Sequence, residues 1–115
     1  MITGLCSLLN AGPKSVGGLQ VNAHPALIET TGNGSLTSGS FTAAHIGGTA
    51  AFTYAWSVVH GDPTITITTP TSQTTTTKAT VGNGDFKQAI LACTIHDNGG
   101  LVITTNQVTT QFEFS

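Results

Sequence analysis

Arginine is absent from this 115-residue chain, and lysine occurs only at Lys14, Lys78 and Lys87. Nucleic-acid affinity comes largely from arginine and lysine contacts to phosphates, so a nucleic-acid partner is not expected. Charge of either sign is scarce: charged residues make up 7% of the chain and the formal net charge is -2, against roughly 25% charged residues in an ordinary soluble domain. The two cysteines, Cys6 and Cys93, fit no zinc-ligand spacing. Cys93 falls in an expected core strand and reads as a buried free thiol, with a Cys6–Cys93 bridge as the alternative. No apolar run approaches the roughly 20 residues of a membrane-spanning helix. The segment from Met1 to Asn10 contains Leu5, Leu8 and Leu9 but no basic residue, and Asn10-Ala11-Gly12-Pro13-Lys14 interrupts it early. It does not read as a secretory signal.

What the chain does contain is threonine, about a fifth of all positions, and 14 glycines. Threonine is β-branched and favours strands, and its hydroxyl keeps a sheet face wet without charge. With aromatics at 6%, the core must rely on Val, Ile, Leu and Ala. The length suits one domain. Residues 1–18 read as an N-terminal arm, either disordered or docked through Leu5, Leu8 and Leu9 on a partner or on the domain itself. Residues 19–115 read as the domain.

The segment Phe52-Thr53-Tyr54-Ala55-Trp56-Ser57-Val58-Val59 dominates the pattern. A period of two places Phe52, Tyr54, Trp56 and Val58 on one strand face, and large rings on one face are expected to form a core. Leu19, Val21, Phe41, Ala43 and His45 alternate in the same way, with Pro25 marking an edge or a switch between sheets. Ile65 and Ile67 are expected inward. Gln73 to Val81 reads as an exposed, threonine-rich strand that buries little beyond Ala79 and Val81. Gly82-Asn83-Gly84-Asp85 and Asp97-Asn98-Gly99-Gly100 are turns, and Phe86 is expected to plug one end of the core. Leu91, Cys93 and Ile95 share an inward face. Leu101 and Ile103 are out of phase with Val108, Thr110, Phe112 and Phe114, which predicts a bulge or sheet switch near Thr105-Asn106-Gln107. About seven short strands with regular turn signals and no convincing helix predict an all-β sandwich of antiparallel strands.

Candidate chemistry is sparse. His24, His45, His60 and His96, with Asp62 and Asp97, lack metal-ligand spacing, and His96 and Asp97 point to opposite faces if they share a strand. The Asp97 turn offers one carboxylate, too few to hold calcium tightly. No Gly-x-Ser-x-Gly elbow is present, and Asp62, Asp85 and Asp97 sit in turns for backbone reasons. Neither an enzyme nor a cofactor is expected. The stripe Phe52, Tyr54 and Trp56 reads as core; exposed, it would be a platform for stacking sugars.

Tyr54-Ala55-Trp56-Ser57 before a Gly-Asp turn, followed by Leu91-Ala92-Cys93-Thr94-Ile95-His96-Asp97-Asn98-Gly99-Gly100, resembles the immunoglobulin-like domains of the polycystic-kidney-disease type and the related bacterial Ig-like repeats. The stretch from Ile65 to Ser72, with its threonine-rich continuation, is similar to versions embedded in tailed-phage virion proteins. The resemblance covers about residues 19–114 and implies an Ig-like sandwich with Tyr54, Trp56, Leu91, Cys93, Ile95 and Asp97 as its signature. It departs from antibody-type domains: Leu91 stands where they carry a Tyr, and no second cysteine faces Cys93, so Trp56 is expected against Cys93 and Ala43. It further implies a structural virion protein, made in the host cytoplasm without a signal peptide. Its expected role is as a decoration or minor capsid subunit that binds the major capsid protein or other virion subunits and forms a homo-oligomer, a trimer being one form. The alternatives are a tail-tube, baseplate or fibre component, or a carbohydrate- or cell-surface-binding module.

Overall fold

The structure is a computed structural model and describes residues 14–115; Leu5, Leu8, Leu9 and Cys6 lie outside the described residues. Strands account for all the regular structure among them: β1 (Lys14–Val16), β2 (Leu19–His24), β3 (Leu27–Gly32), β4 (Gly34–Thr37), β5 (Phe41–Ile46), β6 (Thr53–Gly61), β7 (Thr66–Ile67), β8 (Thr74–Thr75), β9 (Thr77–Val81), β10 (Phe86–His96), β11 (Val102–Thr104) and β12 (Val108–Phe114). The fold is an all-β sandwich. One sheet runs β1-β2-β5-β8, a second β11-β10-β12-β3, and a smaller third β4-β9-β7. β10 is the axis of the second sheet: β11 and β12 pair with successive parts of one edge, and β6 takes the other.

The sequence pattern explains the layers. In β2, Leu19, Val21 and Ala23 are buried and alternate with less buried neighbours; in β5, Phe41 and Ala43 do the same. After His24, Pro25 cannot donate to a ladder, and the chain leaves the first sheet. It re-enters as β3 in the second sheet, parallel to β12, with Leu27 beside Thr109 and Gly32 beside Phe114. Pro25 thus marks a sheet switch, and among the described residues this pairing is the one parallel register in an otherwise antiparallel set. Lys14–Val16, counted with the arm from sequence, pair with Leu19–Val21 at the edge of the first sheet.

The phase change after Leu101 is present as a break between β11 and β12, and its backbone is satisfied by side chains. Asn106 is buried; its Oδ1 accepts from Ala23 N and its Nδ2 donates to Ala23 O, both at 2.9 Å. Thr105 Oγ1 accepts from Cys93 N at 3.0 Å, and Thr105 N donates to Cys93 O at 2.8 Å. Asn106 therefore behaves as a piece of strand laid against β2, linking the two main sheets.

Three expectations are corrected. Val58 is 38% exposed: among the described residues β6 is an edge strand paired to β10 alone, burial along it ends at Trp56, and the register shifts between Ile90 and Leu91. Phe86 is 55% exposed and plugs nothing. β10 begins at Phe86 without a break, so the alternation that turns Ala89, Leu91, Cys93 and Ile95 inward turns Phe86 outward. The threonine-rich strand buries more than Ala79 and Val81, because Thr75 and Thr77 are also inside. Thr77 Oγ1 lies 2.9 Å from Ser38 Oγ and 2.8 Å from Thr110 Oγ1. Thr69 Oγ1 donates to Thr75 Oγ1 at 2.8 Å. Buried hydroxyls are tolerable when they find such partners.

Candidate functional site

β6 and β10 bring the signature residues together. Their register sets Tyr54 beside Ile95, Trp56 beside Cys93 and Thr53 beside His96. Trp56 is 4% exposed and its ring lies 6.5 Å from that of Phe41 across the sandwich. Its Nε1 donates to Ser72 O at 2.9 Å and its backbone N to Pro70 O at 2.7 Å. The ring is core, and a sugar-stacking platform at Trp56 is ruled out by its burial. Burial also pushes the Cys93 thiol up to about 11 against a smaller opposing effect of a backbone hydrogen bond with Ala55, so this free, enclosed cysteine stays protonated and unreactive.

Tyr54 ends in a half-buried group at one end of the sandwich. His45 Nε2 is 2.8 Å from Tyr54 Oη, and the His45 ring packs 3.9 Å from that of Phe52, tilted by 31°. Desolvation, and then the proximity of Cys93, raise the Tyr54 phenol above its ordinary value, which leaves it a neutral hydrogen-bonding partner.

Beside this group Asp97 ties two loops together. Its Oδ1 accepts from Gly99 N at 3.0 Å and Leu101 N at 2.8 Å, and its Oδ2 accepts from Thr49 N at 2.9 Å. Asn98 N donates to Thr49 O at 2.8 Å. The Leu101 hydrogen bond most of all, helped by those from Thr49, Gly99 and Gly100 and against some desolvation, holds the Asp97 carboxyl below the usual aspartate range. With its oxygens directed at backbone donors, Asp97 is a structural clasp. Asp62 and Asp85 have similar tasks: Asp62 Oδ1 accepts from Thr64 N and Oγ1, and Asp85 Oδ2 from Gly82 N. Among the described residues no three His, Cys, Asp or Glu side chains converge as metal ligands, and no buried side-chain polar atom lacks a partner.

Among the described residues, shallow clefts lie on the outer sheet faces. A 210 Å³ cleft over β2 and β5 includes Gln20, Asn22, Ala44 and the 71% exposed Ile46. A 60 Å³ cleft over β3, β12 and the start of β10 includes Glu29, Glu113, Gln111 and Phe86. A 260 Å³ cleft on the small sheet includes Ser35, Thr64, Thr66, Thr80 and Lys78. Sequence reading singled out none of the three. The period of two carried the signal, since Phe86, Glu29, Glu113 and Lys78 all fall on the outward phase of their strands.

No protein-family model and no curated protein matches the chain. Among solved structures, a nucleoside hydrolase-related hypothetical protein from Saccharophagus degradans, described as associated with carbohydrate metabolism, superposes with a TM-score of 0.51 at 14% identity. The match covers 77% of this chain and 22% of that protein, so the chain spans about a fifth of its length. At this identity the likeness is one of fold.

Proposed function

We propose that this chain is a non-catalytic Ig-like module that serves as a structural virion subunit, decorating or stabilising an assembled shell. The observation that carries the reading is how the polar chemistry is used. Asp62, Asp85 and Asp97 brace turns, Thr77 and Thr110 join layers inside, and Tyr54 and Trp56 are tied into the fold. The outer faces carry threonine pairs such as Thr94–Thr104 and Thr42–Thr74 and isolated apolar side chains such as Ile46 and Val59. A surface of hydroxyls and small apolar patches with little charge suits contact with neighbouring subunits, because covering it strands few ions. The passage of the chain at Pro25 from β2 in the first sheet to β3 in the second, and the parallel pairing of β3 with β12, support the Ig-like part.

Sedimentation of the purified protein with undecorated capsids from its source tests the reading. Co-sedimentation at a fixed copy ratio is the expected result, and the ratio names the symmetry site. Protein that stays in the supernatant at every ratio overturns decoration and moves the assignment to a tail component.

A further inference from the structure

With so few charges in the chain, their placement can be followed one by one. Three of the five carboxylates, those of Asp62, Asp85 and Asp97, are committed to turns. The remaining two, Glu29 and Glu113, project from adjacent parallel strands on the outer face of the second sheet. Glu29 sits beside Gln111, and Glu113 lies between Thr31 and Phe86. Both glutamates and the exposed Phe86 ring line one cleft. Two carboxylates beside an aromatic face make a receptor for a cation, by charge and by the ring quadrupole.

The opposite broad face carries the counterpart. In β9, Thr77, Ala79 and Val81 turn inward, so Lys78 and Thr80 turn outward. Lys78 stands in a slot walled by the hydroxyls of Ser35, Thr64, Thr66 and Thr80; the carboxylate bound to that wall, Asp62, is taken up by Thr64 N and Oγ1. The Thr64 hydrogen bonds first, and the Lys87 ammonium to a smaller extent, hold the Asp62 carboxyl below the usual aspartate range. Lys78 on one face, and Glu29 and Glu113 on the other, are thus set among neutral hydroxyls and amides that can hydrogen-bond across a contact.

We propose that the two faces are halves of one head-to-tail contact between copies of this chain, with the Lys78 ammonium of one copy seated against Phe86 and the carboxylates of Glu29 and Glu113 on the next. The choice of a second copy as occupant rests on this complementarity. The contact is heterologous, and because its halves lie on opposite sides of the sandwich, it leads to a row of copies rather than a closed pair. It does not depend on shell binding, since both halves belong to this chain.

Sedimentation velocity of the full chain over a concentration series at low salt tests it. The expected result is growth past the dimer with rising concentration, reversed by salt as exposed charges are screened. Lys78→Gln and Glu113→Lys should each raise the concentration needed by about tenfold or more, the scale of losing a close interfacial charge pair. Lys87→Gln should associate like the parent. The two defective variants mixed in equal amounts should form a one-to-one complex and nothing larger, because one supplies only the cleft and the other only the ammonium. Circular dichroism melts establish that each variant is folded, and Glu29→Gln replaces Glu113→Lys if the latter is not. A parent protein that stays monomeric at low salt, variants that associate as it does, or a mixture that sediments as two separate monomers each overturn the proposal, whatever the outcome with capsids.

Discussion

Asn106 is the side chain whose removal the fold should feel most for its size. It occupies an irregular stretch between two strands, yet it completes the hydrogen bonding of Ala23 on another sheet through both of its polar atoms. Asn106→Ala leaves a buried N–H and a buried C=O of Ala23 without partners. Each such group costs about 1–3 kcal/mol, so unfolding free energy should fall by about 2–6 kcal/mol, read as a lower denaturant midpoint with unchanged slope. Asp97 gives a pH signature instead. Its carboxyl is held below the ordinary aspartate value of about 3.9, chiefly by the Leu101 hydrogen bond. The native state therefore binds a proton less readily than the unfolded chain, and the stability Asp97 supplies is present above the unfolded value and lost as pH falls through the lower, folded one. Thermal melts of the parent and Asp97→Asn should differ clearly at neutral pH and converge in acid. Parallel curves at every pH would mean the carboxylate charge contributes nothing.

At the scale of elements, the threonine-rich strand is where pattern reading and structure part. Low hydrophobicity from Gln73 to Thr77 implies exposure, but the alternation continues through Thr75, Thr77, Ala79 and Val81, and alternation decides. The hydroxyls then need partners, and those come from residues distant in sequence: Thr77 is 33 residues from Thr110 and 39 from Ser38. Composition could not reveal them. Thr110→Val alone should cost about 1 kcal/mol and Thr77→Val about 1–2 kcal/mol, because each strands a buried partner. The double variant should cost about 1 kcal/mol less than the sum, since the facing apolar groups leave less unsatisfied. Strict additivity in equilibrium unfolding would show that the two hydroxyls act independently. Phe86 teaches the same lesson from the other side: size implied burial, and phase sent it outward. The sheet switch at Pro25, the inward run Leu91, Cys93 and Ile95, and the break near Asn106 were all legible, because a missing N–H donor and a period of two act locally. Val58 was not, since its place on an edge strand beside a register shift depends on the pairing with β10 and leaves no mark on the sequence of β6.

For the whole molecule, much of the architecture follows from alternation and turn chemistry, while the outer clefts follow from register, which joins strands far apart in the chain. The parallel pairing of β3 with β12 is the largest instance: it ties residues 27–32 to residues 109–114, near the two ends of the described chain. The arrangement has a mechanical meaning. Pulling the chain from both ends draws β3 backward and β12 forward along their common axis, so their hydrogen bonds are loaded in shear and must fail nearly together. An antiparallel hairpin such as β10–β11, pulled at its open end, peels one bond at a time at low force. A module strung between two attachment points through its ends is therefore built to resist tension, and slides only after this six-residue clamp gives way.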